Sequence, residues 1–175
     1  MESLIIYGSC YGYSKRYAEE LSKRTGIACQ SFEEVKSLEG LKRVIYIGGL
    51  YAGNVKGLKK TLKHIKLGTE LFVATVGLSD VEDENNTESI RRSLNRQIPL
   101  GFFKDENMFF LRGGIDYSKL SFIHGYMMKK MYKKCRQIPD EKKTDEIRGL
   151  IESFGKKVDF VDLDSLKDLE EAINK

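Results

Sequence analysis

Residues Ser9-Cys10-Tyr11-Gly12-Tyr13-Ser14 stand between the apolar run Leu4-Ile5-Ile6-Tyr7 and the segment Arg16-Tyr17-Ala18-Glu19-Glu20-Leu21. That order reads as a strand, a hydroxyl-bearing loop and a helix start. The first backbone N–H groups of a helix have no intrahelical partner, and the aligned peptide dipoles place about half a positive charge there, so an anion is held without a dedicated cation. Ser9 and Ser14 add hydroxyl donors, Gly12 lets the backbone approach a phosphate closely, and Cys10, Tyr11 and Tyr13 complete the cradle. A strand-to-helix turn capped by Ser14 is the simpler reading, but a hydroxyl-x-x-Gly-x-hydroxyl spacing directly after the first strand is more than a cap requires. The loop lacks the Gly-Lys-Ser/Thr of a Walker loop and the first two glycines of a dinucleotide-binding turn.

The elements that position this loop follow from hydrophobic pattern. Apolar runs recur at 4–7, 44–47, 71–76 and 108–111, and the first three are continuous rather than alternating, the signature of strands buried on both faces. A weaker run, Ile27-Ala28-Cys29, reads as an edge strand. Helix-period segments lie at 14–24, 55–65 and 87–98, followed by a basic helix over about 118–135, a polar connection at 137–143 and a terminal helical region over about 144–174. The alternation implies right-handed crossovers and an α/β fold: a doubly wound, five-stranded parallel sheet with helices on both faces, in one domain spanning 1–175.

In such a sheet ligands bind beyond the carboxyl ends of the strands. The candidate binding residues there are Leu50, Tyr51, Ala52, Gly53 and Asn54 after the third strand, and Gly77, Leu78, Ser79 and Asp80 after the fourth. Arg112-Gly113-Gly114-Ile115-Asp116-Tyr117 follows the fifth and opens on the same edge. Tyr51, set between Gly49 and Gly53, offers a flat apolar face with a polar tip, suited to stacking on an aromatic ring.

The 175 residues, 41% hydrophobic and 32% charged, suit a globular protein with room for a full core, and no apolar stretch approaches a membrane span. The opening Met1-Glu2-Ser3 carries an acid and the next apolar run is short, which predicts no signal peptide and a cytoplasmic location. Cys10, Cys29 and Cys135 are odd in number and far apart, so neither a disulfide framework nor a metal site is expected, and His64 and His124 stand alone in the sequence. The net charge is +4, with Lys129, Lys130, Lys133, Lys134 and Arg136 interleaved among Met127, Met128, Met131 and Tyr132. That spacing fits either a core helix with snorkelling lysines or an amphipathic surface for anionic lipid, and the second reading implies peripheral contact with the inner face of a membrane. Acidic residues follow directly, at Glu141, Asp145, Glu146 and Glu152, and no nucleic-acid-binding module is spelled out, so no nucleic-acid partner is expected.

The loops at 9–14, 48–54 and 77–86 together resemble those of the flavodoxin-like proteins that bind flavin mononucleotide (FMN). The family's phosphate motif, Thr/Ser-x-Thr-Gly-x-Thr/Ser, is matched at Ser9, Gly12 and Ser14, while Tyr11 replaces a small hydroxyl residue. The resemblance implies FMN as cofactor, its phosphate in Ser9–Ser14, and the strand order 2-1-3-4-5. Within the family the chain is similar to the flavodoxin-domain group containing the quinone-dependent protoporphyrinogen oxidase. The likeness is carried by Tyr7-Gly8-Ser9 with Gly12-Tyr13-Ser14-Lys15, by Gly48-Gly49-Leu50-Tyr51-Ala52-Gly53, and by Arg112-Gly113-Gly114-Ile115-Asp116-Tyr117 followed by a Met- and Lys-rich helix and then Thr144-Asp145. It implies an FMN oxidoreductase with protoporphyrinogen as electron donor and a quinone as acceptor. A general flavodoxin-type electron carrier is the alternative. Small carriers of this family are typically acidic, whereas this chain has an isoelectric point near 8.8.

A rival of another class rests on Cys10 and Arg16, whose spacing resembles the phosphate loop of low-molecular-weight tyrosine phosphatases. There a thiolate attacks phosphorus while the arginine clamps its oxygens, and Asp80, Asp116 or another strand-end carboxylate would be the acid. The family's Ser or Thr after the arginine is Tyr17 here. A binding module that has lost flavin is a third reading.

Overall fold

A computed structural model describes residues 2–51, 53–99, 101–143 and 145–175, with the backbone alone at Asp145 and Glu146. Five parallel strands form the central sheet: β1 (Ser3–Gly8), β2 (Cys29–Ser31), β3 (Arg43–Tyr51), β5 (Glu70–Gly77) and β6 (Met108–Arg112). Their spatial order, β2-β1-β3-β5-β6, is the expected 2-1-3-4-5 when the parallel strands are counted along the chain. The short β4 (Asn54–Val55) is an addition, pairing antiparallel with β3 as Leu50 with Val55 and Tyr51 with Asn54.

The register explains why the strand runs are apolar throughout. Ile5, Ile45 and Phe72 are neighbours across β1, β3 and β5, and all three enter the core on one face of the sheet. One residue further along, Ile6, Tyr46, Val73 and Met108 form the next row and enter the core on the other face. The first face is covered by Tyr17, Ala18 and Leu21 of α1 (Tyr13–Thr25) and by Leu166, Leu169 and Ile173, which lie in or beside α6 (Lys167–Ile173). The second is covered by Leu58 and Leu62 of α2 (Leu58–Leu62) and Leu94 of α3 (Glu84–Gln97). Each such buried side chain contributes about 1.5–3 kcal/mol of transfer free energy, so the two layers fix the sheet edge on which the loops lie.

Several elements depart from the sequence expectation, among them the edge strand expected at 27–29, which forms instead at Cys29–Ser31, and the basic helix expected over 118–135, which spans Phe122–Gln137. The helix expected over 55–65 is only α2, because Val55 is taken by β4 and Gly57, at φ +78°, breaks the helical path. The helix expected over 87–98 begins earlier, at Glu84, since the Asp83 carboxylate accepts the Asn85 N–H at 2.9 Å. The terminal helical region over 144–174 is not continuous. It comprises α5 (Asp145–Ser153), a turn through Gly155 at φ +80°, β8 (Lys157–Asp159) and α6. β8 pairs antiparallel with β7 (Gly114–Asp116), which lies within the segment expected to be an open loop after the fifth parallel strand. Thr144 lies outside the described residues.

The basic helix α4 (Phe122–Gln137) buries no residue fully. Phe122, Ile123 and Tyr126 are 90%, 69% and 64% exposed, so the reading of a core helix with snorkelling lysines is set aside. No helix among the described residues is long and apolar enough to cross a membrane.

Candidate functional site

The loop after β1 is held by its own residues. The Gly12 N–H donates to the Ser9 hydroxyl at 3.0 Å, and Gly12 takes φ +91°, a left-handed conformation that favours glycine. The Gly12 carbonyl accepts the Arg16 N–H at 3.0 Å and so opens α1. As N-cap, Gly12 has no side chain to turn back on the first turn, which leaves the helix start to an outside acceptor. Ser14 is not a cap. It lies inside the first turn of α1 and is buried.

Tyr51 ends β3 beside this loop. A Cβ on Gly49 would lie 3.0 Å from the Tyr51 ring and 3.4 Å from the Ser14 hydroxyl, so the glycine keeps a narrow space open between the ring and the helix start. Burial pushes the Tyr51 phenol well above its usual range; the Cys10 thiol adds to the rise and the Cys10 N–H opposes it. The ring stacks on His124 at 5.3 Å with 7° between planes, and Tyr11 stands edge-on to both. The Tyr11 hydroxyl lies 2.5 Å from His124 Nδ1 and accepts the Ser121 N–H at 3.2 Å. His124, alone in the sequence, is therefore part of the site. Ser121 caps α4, its hydroxyl accepting the His124 backbone N–H at 3.3 Å, which sets His124 in the first turn of the helix, but no sequence signal links it to Tyr11.

The Leu50–Asn54 segment is a hairpin rather than a loose loop. Gly53 turns it at φ +76°, and its carbonyl accepts from the Ser93 hydroxyl and from Gln97 Nε2, while Gln97 Oε1 accepts the Val55 N–H at 2.9 Å. Ala52 lies outside the described residues. Gly77 is drawn against this hairpin, since a Cβ there would meet Leu50 at 3.2 Å. Leu78 and Ser79 follow in the same strand-end turn, and Asp80 is anchored by Arg112 at 3.8 Å across the β5–β6 edge. The structure thus brings Cys10, Tyr11, Ser14 and Tyr51 together and places Leu50 against Gly77.

Arg16 is engaged with a carboxylate rather than held as a free phosphatase clamp. Its guanidinium is paired with Asp159 of β8 at 2.5 Å, and together they wall a cavity of about 350 Å³ outside the helix start. Nor does Cys29 offer a nucleophile, since burial pushes its thiol up to about 11.

Residues 4–143 match the family model described as the flavodoxin domain. The chain belongs to the flavodoxin family. The tyrosine phosphatase reading is accordingly not supported. No curated protein matches this flavodoxin-domain chain. Among solved structures it is similar to a flavoprotein from Bacteroides uniformis (10% identity, TM-score 0.49, covering 64% of this chain and 90% of that one). It is also similar to the oxidised flavodoxin 2 of Bacillus cereus (16%, 0.43, 64% and 84%) and to a flavodoxin from the domain Archaea (12%, 0.42, 87% and 95%). FMN is the cofactor that membership brings, and the residues here fit it: an uncapped helix start with hydroxyls for a phosphate, and glycines that keep the neighbouring space free of side chains.

Proposed function

We propose that this flavodoxin-family chain is an FMN-dependent oxidoreductase that holds the FMN phosphate in Ser9–Ser14 and the ring between Leu50–Asn54 and Gly77–Asp80. The observation that carries the reading is the uncapped start of α1 directly beside Tyr51 and Gly49. Bound FMN supplies electron transfer in one- or two-electron steps, and the protein supplies placement. Ser9 and Ser14 would give hydroxyl donors to the phosphate, and the Gly77–Leu50 contact would keep the two ring loops at a fixed separation. Tyr51 would give the ring an aromatic contact, worth on the order of 1 kcal/mol. Tyr51→Ala should therefore weaken FMN binding about five- to tenfold and change the quenching of flavin fluorescence; unchanged affinity and quenching would remove Tyr51 from the site.

Protoporphyrinogen as donor and a quinone as acceptor are the proposed partners. The support is the positive net charge and the cationic, outward-facing α4, which suit an acidic donor and an anionic membrane surface. Anaerobic mixing with protoporphyrinogen should bleach the flavin and menaquinone should restore it. An unbleached flavin would leave the general electron carrier as the reading.

The membrane contact has its own test. The solvent side of α4 carries Phe122, Ile123, Tyr126 and Met127 ahead of Lys130 and Lys134. Each cation near an anionic bilayer contributes about 1 kcal/mol, in addition to the apolar side chains that enter the interface. Anionic vesicles should retain the protein at low salt and lose much of it near 1 M, where the Debye length is about 3 Å. Protein that stays in the supernatant at low salt would refute the contact.

A further inference from the structure

Among the described residues, one buried side-chain nitrogen has no hydrogen-bond partner, Arg112 Nε. Arg112 ends β6 in register with Gly77, where the loop proposed above to border the flavin ring begins. The backbone there is fixed from two sides. The Arg112 carbonyl accepts the Tyr17 hydroxyl at 2.7 Å, and the Gly113 N–H donates to the Gly77 carbonyl at 2.6 Å. The guanidinium carbon lies 4.2 Å from the centre of the Phe160 ring, and Phe160 is itself tied down by its N–H to the Gly113 carbonyl at 2.9 Å.

The charge of Arg112 is met less closely than that of other arginines. Arg16, Arg24 and Arg43 approach carboxylates at 2.5, 2.9 and 2.6 Å, within hydrogen-bond reach. Arg112 stands 3.8 Å from Asp80 Oδ2, beyond that reach, while Asp80 Oδ1 accepts the Glu82 N–H at 3.1 Å. The Arg112 side chain is only one-third exposed, so its charge is less screened than a free surface cation and is only loosely cancelled by Asp80. A buried donor left unmade is costly, and an apolar residue would pack on Phe160 without that cost. What an apolar residue would not bring is a fixed positive charge at the end of β6, on the sheet edge where ligands bind.

We propose that Arg112 sets the redox potential of the bound flavin, its cation favouring the reduced ring and Asp80 opposing it. This rests on the placement of the ring beside Gly77–Asp80. Reduction of FMN by two electrons with uptake of one proton adds one negative charge to the ring system. A fixed cation at the rim of the loop therefore raises affinity for the reduced form relative to the oxidised one, and a fixed carboxylate lowers it. The 3.8 Å separation leaves the two charges acting on the site with opposite signs rather than as one neutral, hydrogen-bonded unit.

Anaerobic redox titration of the FMN-loaded full chain against a reference dye tests this, in mildly alkaline buffer where the reduced ring is anionic, with affinity for oxidised FMN measured alongside. Arg112→Gln should lower the preference for reduced over oxidised FMN by about tenfold, which is about 30 mV in the midpoint of a two-electron couple. Asp80→Asn, which keeps an acceptor for the Glu82 N–H, should raise the midpoint by about the same amount. Opposite shifts identify charge as the cause, because a merely structural pair would loosen the same loop whichever partner is lost and move the midpoint one way. The Asp80 side chain is half-exposed, so Asp80→Asn remains decisive even where Arg112→Gln does not fold. The proposal is overturned if folded Arg112→Gln leaves the midpoint unmoved or raises it, or if Asp80→Asn leaves it unmoved or lowers it. Wild-type protein that takes up no FMN would overturn the ring site as well, whereas normal uptake with an unmoved midpoint overturns the role of Arg112 alone.

Discussion

Ser14→Glu is expected to lower FMN affinity by about a thousandfold. Ser14 is 2% exposed in the first turn of α1, with its hydroxyl beside the space that Gly49 keeps open. A carboxylate there would face the FMN phosphate across about 4 Å, and at an effective dielectric near 20 two like charges at that distance repel by about 4 kcal/mol. The positive end of the helix would also be spent on the new carboxylate rather than on the ligand. Because the site is buried, circular dichroism and thermal unfolding of the variant must first show that it is folded. Ser14→Ala supplies a milder companion, losing one hydroxyl donor and about five- to tenfold in affinity. If folded Ser14→Glu titrates with FMN like the wild type, the phosphate does not lie at this helix start.

Gly8→Ala should cost about 3 kcal/mol of stability, near the upper end of the usual penalty for overpacking. Gly8 ends β1 at the point where the chain leaves the sheet for the phosphate loop. A Cβ there would overlap the Lys56 carbonyl oxygen and lie 2.8 Å from the Tyr46 hydroxyl. Neither neighbour can give way readily. Lys56 is backbone held by its N–H to the Gly49 carbonyl at 2.9 Å, and Tyr46 is fully buried with its hydroxyl donating to that same Lys56 oxygen at 2.5 Å. For a chain of this length the midpoint of thermal unfolding should fall by roughly 6 to 12 °C. A fall of less than 2 °C, well below that estimate, would show that the β1 end and the β4–α2 connection are not packed together as described.

How far these features were legible in the sequence depended on the range of the interactions that create them. The β1 loop is set by neighbouring residues: Ser9, Gly12 and the onset of α1 all lie within a few positions, and the hydrogen bond from the Gly12 N–H to Ser9 is local. The continuous runs 4–7, 44–47 and 71–76 likewise announced strands covered on both faces, and the register rows through Ile45 and Tyr46 show why. What the pattern could not show were partners far along the chain. Lys157–Asp159 sits within apolar spacing compatible with a helix, but Gly114–Asp116 offers it a strand edge and Gly155 lets the chain turn to meet it. His124 is 113 residues from Tyr11, and nothing near either residue specifies their contact.

The account stands most directly on the titration of flavin-free protein with FMN, followed by the visible spectrum and flavin fluorescence, with riboflavin as the comparison. Saturable binding of FMN, equimolar with the chain, is predicted. Riboflavin, which lacks the phosphate, should bind at least about tenfold more weakly, because the hydroxyls and helix start at Ser9–Ser14 would have no anion to hold. Equal affinity for the two flavins, or no saturable binding of either, would contradict the assignment of the loop after β1 as the phosphate site.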